Sequence, residues 1–511
     1  MVLAIAAVVV AVALLAGGVL VVRQRSASSD SAAPATSAPS SSSSPSTTRP
    51  RTGSAPSTGS APADPEAIRQ RAVELQRYVE KERGLTYKEP VEVQVLDDAA
   101  FKARVLQEFD KDRASLERQG RLLQAAGLVP ADTDAVEAQR QLLGEGVLGF
   151  YDPVTKALVV RGTADTPFLR EIMVHELTHA LDDQHFDLNR PQLADKRDGS
   201  DWGFLALTEG SARRVEYAYV DQMSEADRQQ LQQEQLQLSM GQLGSVASTP
   251  LVLPQLLMAP YDYGNPFVQH LLDKGGQARL DAAFGTPPTS SEQIVDPARF
   301  DAGDAPKAVP APPADGTIVD DGVLGALMTS FIAKGDPTSG GIESLLGGLL
   351  GGTGGGTGGS IPGGDQSMDQ LLKLLQQLLA GGGDGTGDGS GLEGLLGGGT
   401  QGGTGGGSAV PGDDPLGGLG GLLGGGSGGS GGADALNKLL APPLLKGWGG
   451  DHYVVYKKAS GATCLRFDWV GDDVASATAA KQAFDARAAN DSKVVVQQTA
   501  PDTVRVTSCT A

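Results

Sequence analysis

Apolar positions recur at helical and strand spacing through the centre of the chain. Residues 65–83 carry them at helical spacing, and residues 91–97 alternate in the manner of a strand. A long helix is predicted over residues 99–126, where the next Gly and Pro end it. Two β-prone runs within residues 147–162 flank the turn-forming letters DPVTK, so we predict a hairpin there.

Helices dominate the pattern after this hairpin. Thr166 and Pro167 supply a cap and a first-turn proline for a helix that contains HELTHALDDQHF. Further helices are predicted over residues 205–223 and over the Gln-rich residues 224–243. This order of strand, helix, hairpin and helices predicts an α+β fold. A hairpin strand at the edge of its sheet can pair with an extended peptide.

Two stretches lack the apolar residues that a folded core requires. Residues 23–63 are mostly Ser, Pro, Thr and Ala, and residues 336–434 are mostly Gly with short Leu-rich runs. Such compositions bury too little apolar surface to offset the entropy of the chain. We therefore predict a disordered linker and a low-complexity insertion on either side of a folded domain at residues 64–335.

The first 22 residues form an apolar run that is long enough to span a bilayer. Arg23 and Arg25 follow it, and the positive-inside rule would keep that end in the cytoplasm. The Ser/Pro/Thr-rich stalk after the run favours an external location instead. We predict a signal-anchor or transmembrane segment at residues 1–22, with the folded part of a single-pass protein outside the cell, or a secreted protein.

The C-terminal residues 435–511 carry their own α/β pattern. Strands are predicted over residues 447–458 and 504–509, with a helix over residues 475–489 between them. A helix predicted over residues 324–334 precedes the Gly-rich insertion, so both pieces are expected to complete one module. Cys464 and Cys509 are the two cysteines of the chain. In an exported protein they predict one disulfide, with two buried free thiols as the alternative.

The formal charge of the chain is -20. No basic stripe is present that could meet a phosphate backbone, so nucleic acid is not an expected partner. We interpret the acidity as a surface property that maintains solubility.

The letters HELTH place His175 and His179 four residues apart on a predicted helix. Side chains at this spacing project from one face, so two imidazoles can bind one zinc ion. Glu176 lies beside His175, where it can accept a proton from an attacking water. Apolar residues flank the motif and favour a buried metal site, with hydrogen-bonded core histidines as the alternative. We predict Zn²⁺ as the cofactor and Glu176 as the general base.

A catalytic zinc site needs a third protein ligand. We favour Glu209, because it lies on the next predicted helix and a facing helix can deliver a carboxylate. His185 is the alternative, since its spacing fits the metzincin pattern HExxHxxGxxH. In that pattern a Gly lets the chain leave the helix, whereas this chain has Asp182 at the position. The helix can then continue, and His185 would point away from the metal.

The letters HELTHALDDQHFDL, TEGSA and GFYDPVTKALVV resemble the gluzincins, the HExxH-plus-Glu zinc peptidases that include thermolysin. They are more similar to a group of predicted bacterial and archaeal peptidases, membrane-associated or secreted, that share the GFYDP hairpin and an EGxA helix. The resemblance covers roughly residues 145–300 and returns at residues 447–456. It implies a zincin-like metallopeptidase domain. Thermolysin-like enzymes have an Asp four residues after the ligand Glu, where this chain has Arg213.

Enzymes of this kind often use a Tyr or His to stabilise the oxyanion, which makes Tyr261 and Tyr263 candidate catalytic residues. Packing in a turn or core is the alternative for both tyrosines. His270 lies in an apolar helical pattern, so a structural role is expected for it. Asp183 either orients a ligand histidine or is a surface carboxylate.

Together these features predict a zinc peptidase that hydrolyses peptide bonds of a peptide or protein substrate, in the cell envelope or outside the cell. The alternative is an envelope binding or scaffold protein that keeps the peptidase fold without activity.

Overall fold

The computed structural model describes residues 64–335 and 444–510, apart from positions 163 and 248. Helices and two small sheets make up a mixed α+β architecture, which confirms the α+β part of the predicted fold class. The predicted segments 1–22, 23–63 and 336–434 lie outside the described residues.

The first elements in chain order are α1 (Pro65–Arg83), β1 (Glu92–Leu96), α2 (Asp98–Lys111), α3 (Arg113–Ala125), α4 (Ala135–Gly146), β2 (Gly149–Asp152), β3 (Ala157–Arg161) and α5 (Pro167–Phe186). There follow α6 (Pro191–Lys196), α7 (Ser200–Gln222), α8 (Glu225–Ala247), α9 (Val252–Gly285), α10 (Ser291–Val295), α11 (Pro297–Ala302), β4 (Thr317–Gly322) and α12 (Gly325–Lys334). The C-terminal elements are β5 (Trp448–Lys457), β6 (Thr463–Gly471), α13 (Val474–Asn490), β7 (Val494–Ala500) and β8 (Thr503–Cys509).

The small sheet has the strand order β1-β3-β2. Strands β2 and β3 pair in antiparallel fashion, which confirms the predicted hairpin, and β1 runs parallel to β3. Strand β2 therefore lies at an edge of the sheet. All four of its residues are buried, because the edge packs beside α5.

Helix α5 carries the HELTH motif and begins as the sequence predicts. The Thr166 hydroxyl accepts a hydrogen bond from the Leu169 N–H at 3.2 Å, and Pro167 opens the first turn. The helix is buried on every side from Ile172 to Asp183, which is typical of a helix at the centre of a domain. It continues without a break through His185 to its end at Phe186.

Helix α7 packs against both α5 and α9. Helix α9 is 34 residues long and contains Pro260 and Pro266. Gly275 and Gly276 interrupt it with non-helical backbone angles. The sequence analysis predicted helix here only around His270, because prolines and glycines normally mark the ends of helices.

The predicted long helix over residues 99–126 is wrong in one respect. Asp112 separates α2 from α3, with φ of -97° and ψ of 6°. Its N–H donates to the Phe109 carbonyl oxygen in a tight turn, and its own carbonyl oxygen accepts from Ser115 and Leu116. The chain therefore leaves α2 and starts α3 at one residue, a change of direction that apolar periodicity does not reveal.

The second sheet contains strands from before and from after segment 336–443. Its strand order is β4-β5-β6-β8-β7, and β4, which precedes the segment, pairs with β5, which follows it. The carboxylate of Asp451 accepts hydrogen bonds from the Leu324 and Gly325 N–H groups, both at 2.8 Å, at the start of α12. Cys464 and Cys509 lie opposite each other on β6 and β8 and form the predicted disulfide.

The predicted single-pass membrane location is contradicted. No helix among the described residues is long and apolar enough to cross a membrane. Even α9, at 34 residues, carries charged side chains such as Asp273, Lys274 and Arg279 along its length. The apolar run at residues 1–22, on which the prediction rested, lies outside the described residues.

Candidate metal centre

Three side chains from two helices converge between α5 and α7. The Nε2 atoms of His175 and His179 lie 3.1 Å apart. Oε2 of Glu209 lies 3.2 Å from Nε2 of His175 and 3.4 Å from Nε2 of His179. His175 and Glu209 are fully buried, and His179 is 3% exposed. The three residues form a group that could hold a metal ion.

The separations between these three atoms, 3.1 to 3.4 Å, are close to those around one metal ion. A tetrahedral ion with bonds of about 2.0–2.2 Å holds its ligand atoms about 3.3–3.6 Å apart. Nδ1 of His175 lies 2.8 Å from the Glu216 carboxylate, so the proton of a neutral imidazole belongs on Nδ1. The lone pair on Nε2 then faces the lone pairs of Glu209, an arrangement that a cation between them would stabilise.

The charges of the group also favour a cation at this position. Burial lowers the pKa of His175, but hydrogen bonds to Glu209 and Glu216 outweigh burial and raise it to about 10. Burial raises the pKa of Glu209, but the charge of His179 and hydrogen bonds to both histidines lower it to about 2. Two buried carboxylates beside His175 thus favour positive charge at this position, whether a proton or a metal ion carries it.

Glu216 is a site residue that the sequence analysis missed. It accepts from His175 through Oε2, and its Oε1 accepts from Nη1 of Arg213 at 2.9 Å. Arg213, which stands where thermolysin-like enzymes have an Asp, therefore supports the histidine through Glu216. The signal was present, because Glu216 follows Glu209 by seven residues, two helical turns, and so lies on the same face of α7.

Glu176 lies on α5 with its carboxylate turned to the edge strand. Oε2 accepts a hydrogen bond from the Tyr151 N–H at 2.8 Å. Oε1 is buried and has no hydrogen-bond partner among the described residues. Burial raises the pKa of Glu176 to about 7, although both histidines oppose the rise. A carboxyl group with this pKa can accept and return a proton near neutral pH.

The candidate tyrosines occupy different surroundings. The Tyr261 ring centre lies 5.9 Å from that of His175, and its buried hydroxyl lies beside the Glu209 carboxylate. Burial and the carboxylates of Glu209 and Glu176 raise the pKa of Tyr261 well above its usual value. Tyr263 instead packs against the apolar clusters that contain Phe267 and Leu253.

His270 and His185 lie outside the metal group. Nε2 of His270 lies 2.7 Å from an Asp301 carboxylate oxygen, on the exposed side of α9. Nε2 of His185 lies 2.8 Å from the Thr86 carbonyl oxygen. Because α5 continues as a regular helix past Asp182, His185 cannot turn back to the two motif histidines.

Asp183 does not orient a ligand histidine. Its Oδ2 accepts from the Tyr151 hydroxyl at 2.6 Å and from Nζ of Lys156 at 2.7 Å. Its Oδ1 accepts from the Leu188 N–H. Asp183 is buried, so it is not a surface carboxylate either, and it ties the hairpin to the end of α5.

Asp182 joins the two ligand-bearing helices on the His179 side of the group. It accepts from Nε of Arg83 at 2.8 Å and from the Ser211 hydroxyl at 2.7 Å. Arg83 is fully buried, and its guanidinium carbon lies 5.5 Å from the ring centre of Phe186 and 5.7 Å from that of Phe284. The hydrogen bonds of Asp182 therefore connect α1, α5 and α7.

Comparisons with known proteins add little to this geometry. No model of a protein family matches the chain, and no curated protein matches it. A crystal structure of a candidate hydrolase with a novel fold, from Chloroflexus aurantiacus, is similar to this chain at 18% sequence identity and a TM-score of 0.33. The match covers 47% of this chain and 89% of the other.

Proposed function

We propose that the protein is a zinc-dependent peptidase of a zincin-like fold, with His175, His179 and Glu209 as the zinc ligands. The observation that carries the proposal is the convergence of two imidazole nitrogens and one carboxylate oxygen within 3.4 Å of one another. Two histidines and a glutamate are a ligand set typical of catalytic zinc, which leaves a fourth position open. Zinc, when bound, supplies a Lewis acid that polarises a carbonyl group and acidifies a water.

Glu176 carries the proton in the proposed reaction. Its carboxylate accepts a proton from the water whose oxygen forms a bond to the carbonyl carbon of the peptide. The same proton then passes to the amide nitrogen as the carbon–nitrogen bond breaks, which yields a carboxylic acid and an amine. The free Oε1 and a pKa near 7 support this role, since a base works best when its pKa is close to the working pH.

Tyr261 is the proposed oxyanion stabiliser. Its hydroxyl is a buried donor beside the carboxylate of Glu209, one of the proposed zinc ligands. With Glu209 engaged by zinc, the hydroxyl would be available to donate to the developing oxyanion, and that bond would favour the transition state. Tyr263 has no comparable position and is not proposed for catalysis.

An extended peptide beside the edge strand β2 is the proposed substrate geometry. Strand addition satisfies the outward backbone groups of an edge and brings a peptide past Glu176. The Tyr151 N–H is already engaged by Glu176, so a peptide that pairs there would release the carboxylate. The metal group is at most 3% exposed, and substrate binding therefore requires the elements around β2 to move apart.

Zinc binding and hydrolysis of labelled casein by the full chain test the proposal together. We expect the wild type to bind zinc and cleave casein. Glu176→Gln should keep the zinc and lose about 100- to 10,000-fold in kcat, because the proton acceptor is gone. Glu117→Gln, which changes an exposed carboxylate, is the matched control and should match the wild type. A wild type that binds zinc but cleaves neither casein nor a peptide library would indicate a binding protein instead.

A further inference from the structure

Two glycines lie where α7 and α9 cross, beside the metal group. Gly210 directly follows Glu209, and Gly264 lies one turn after Tyr261. A Cβ atom on Gly264 would overlap the carbonyl oxygen of Ala206, and one on Gly210 would overlap the carbonyl oxygen of Gly264. The two helices are therefore in direct backbone contact at this point, and a side chain at either glycine would prevent that contact.

The crossing fixes how far Tyr261 reaches into the site. Tyr261 lies on the same helix as Gly264, less than one turn away, and its ring packs between His175 and Arg213. The ring centre lies 5.9 Å from that of His175 and 5.3 Å from the Arg213 guanidinium carbon. Any side chain at Gly264 would push α9 away from α7, and the Tyr261 hydroxyl would move away from Glu209 with it.

Close helix packing alone does not explain why a tyrosine occupies position 261. Its hydroxyl is buried against the carboxylate of Glu209, which belongs to the metal group. A phenylalanine would fill the same space without placing a donor there. The hydroxyl therefore indicates a function at the metal group, and the glycine pair holds it there.

We propose that Gly210 and Gly264 are positioning residues that set the distance from the Tyr261 hydroxyl to the metal group. The inference rests on the proposed function, because it assumes a metal ion between His175, His179 and Glu209. The two glycines would then position the Tyr261 hydroxyl, a role that is separate from binding the metal ion.

Fluorine NMR of the full chain with fluorotyrosine and bound Co²⁺ measures this distance without reference to catalysis. The chain has nine tyrosines, and the Tyr261 signal is the one absent from Tyr261→Phe. Paramagnetic broadening by Co²⁺ falls steeply with distance, so we expect a strongly broadened Tyr261 signal in the wild type. Gly264→Ala should keep the Co²⁺ and show a sharper Tyr261 signal. Gly285→Ala is the control, because a Cβ at this end of α9 meets nothing within 4 Å.

Turnover of casein by the zinc form gives a second reading. Gly264→Ala and Tyr261→Phe should each lose about 100-fold or more in kcat, the loss typical of a removed oxyanion donor. The double variant should lose no more than either single variant, because both remove one interaction. If Gly264→Ala does not fold, Val268→Ile adds one methyl group at the same crossing, where Val268 faces Gly210, and should sharpen the signal in part.

Four results would overturn the inference. An unbroadened Tyr261 signal in the Co²⁺-bound wild type would show that the tyrosine lies far from the metal ion. Unchanged broadening in both Gly264→Ala and Val268→Ile, or additive losses of kcat in the double variant, would show that the crossing does not set its position. A wild type that binds no Co²⁺ would instead overturn the proposed function, and this inference with it.

Discussion

At the scale of single residues, the proposed ligand His175 is followed by two charged residues in a hydrogen-bonded series. The imidazole faces Glu216, and Glu216 accepts from Arg213. This arrangement fixes the proton of a neutral imidazole on Nδ1, so the lone pair on Nε2 points towards His179 and Glu209. His179 has no such partner at Nδ1 among the described residues, so the two ligands are held differently.

Glu216→Gln should therefore weaken zinc binding while the fold persists. We expect zinc affinity to fall about 10- to 100-fold, because the amide accepts less strongly and no longer offsets the positive charge of the centre. Competition with a chromophoric chelator measures the change. Glu225→Gln, an exposed carboxylate on the next helix, is the control. Equal zinc affinity in Glu216→Gln and the wild type would show that Glu216 does not support zinc binding through His175.

The residues of the metal group were predictable, but their hydrogen-bond partners were less so. The spacing of His175 and His179 predicts that they share a face of a helix, and the structure brings Glu209, which was also predicted, to the two histidines. Glu216 could have been found from the helical period. The partners of Asp183 could not, because Tyr151 and Lys156 approach from the hairpin, at sequence distances of 32 and 27 residues.

At the scale of elements, the two ligand-bearing helices are joined on both sides of the metal group. Glu216 of α7 meets His175 of α5 on one side, and Ser211 of α7 meets Asp182 of α5 on the other. Arg83 of α1 completes the second connection and is itself fully buried. The relative position of α5 and α7 thus depends on buried charge as well as on apolar packing.

Asp182→Ala tests this connection through stability. We expect unfolding free energy to fall by about 3–5 kcal/mol, because Arg83 would remain buried without its full set of partners. Urea unfolding followed by circular dichroism measures the loss. Asp195→Ala, an exposed position on α6, should stay within about 0.5 kcal/mol of the wild type. A similar small change for Asp182→Ala would show that the ion pair contributes little.

The elements around the motif were predicted well, since α1, the hairpin and α5 follow clear periodicity and capping signals. Helix α9 was predicted only in part because it contains Pro260, Pro266 and the Gly275–Gly276 break. Its packing against α7 through Gly264 and Gly210 is a tertiary contact, and no local pattern shows which glycines will meet.

At the scale of the whole molecule, α10 contacts the C-terminal strands across segment 336–443. Oε1 of Glu292 accepts from the Trp448 N–H at 3.0 Å. Burial raises the pKa of Glu292 to about 7, and Asp472 and Asp304 add to the rise while Arg299 opposes it. In the folded protein this carboxyl group therefore holds its proton to a higher pH than in the unfolded chain.

The contribution of Glu292 to the stability of the protein should consequently fall as pH rises. With a folded pKa above the unfolded one, the contribution of Glu292 is present below pH 4.5 and is lost as pH rises through about 7. As pH rises from 4.5 to above 7, Glu292→Gln should gain stability relative to the wild type, by at most about 3 kcal/mol because solvent screens part of the interaction. Urea unfolding at a series of pH values measures this. Asp296→Asn, at an exposed carboxylate nearby, should keep the wild-type slope, and an identical slope in Glu292→Gln would contradict the prediction.

The C-terminal sheet shows the limit of prediction at this scale. Two of its five strands, β5 and β8, were predicted, together with α13 and the disulfide between Cys464 and Cys509. Strand β4 was not, because its partner β5 lies beyond 125 intervening positions, and pairing over such distances leaves no local signal.

Zinc content after equilibrium dialysis of the full chain tests the central claim most directly. The wild type should bind one zinc ion per chain. Glu209→Gln should lose zinc affinity by more than the roughly 10- to 100-fold expected for an outer-shell partner, because it removes a ligand. His185→Gln, the matched control six residues after His179, should bind zinc as the wild type does. Loss of zinc in His185→Gln alone, with full binding in Glu209→Gln, would contradict the account.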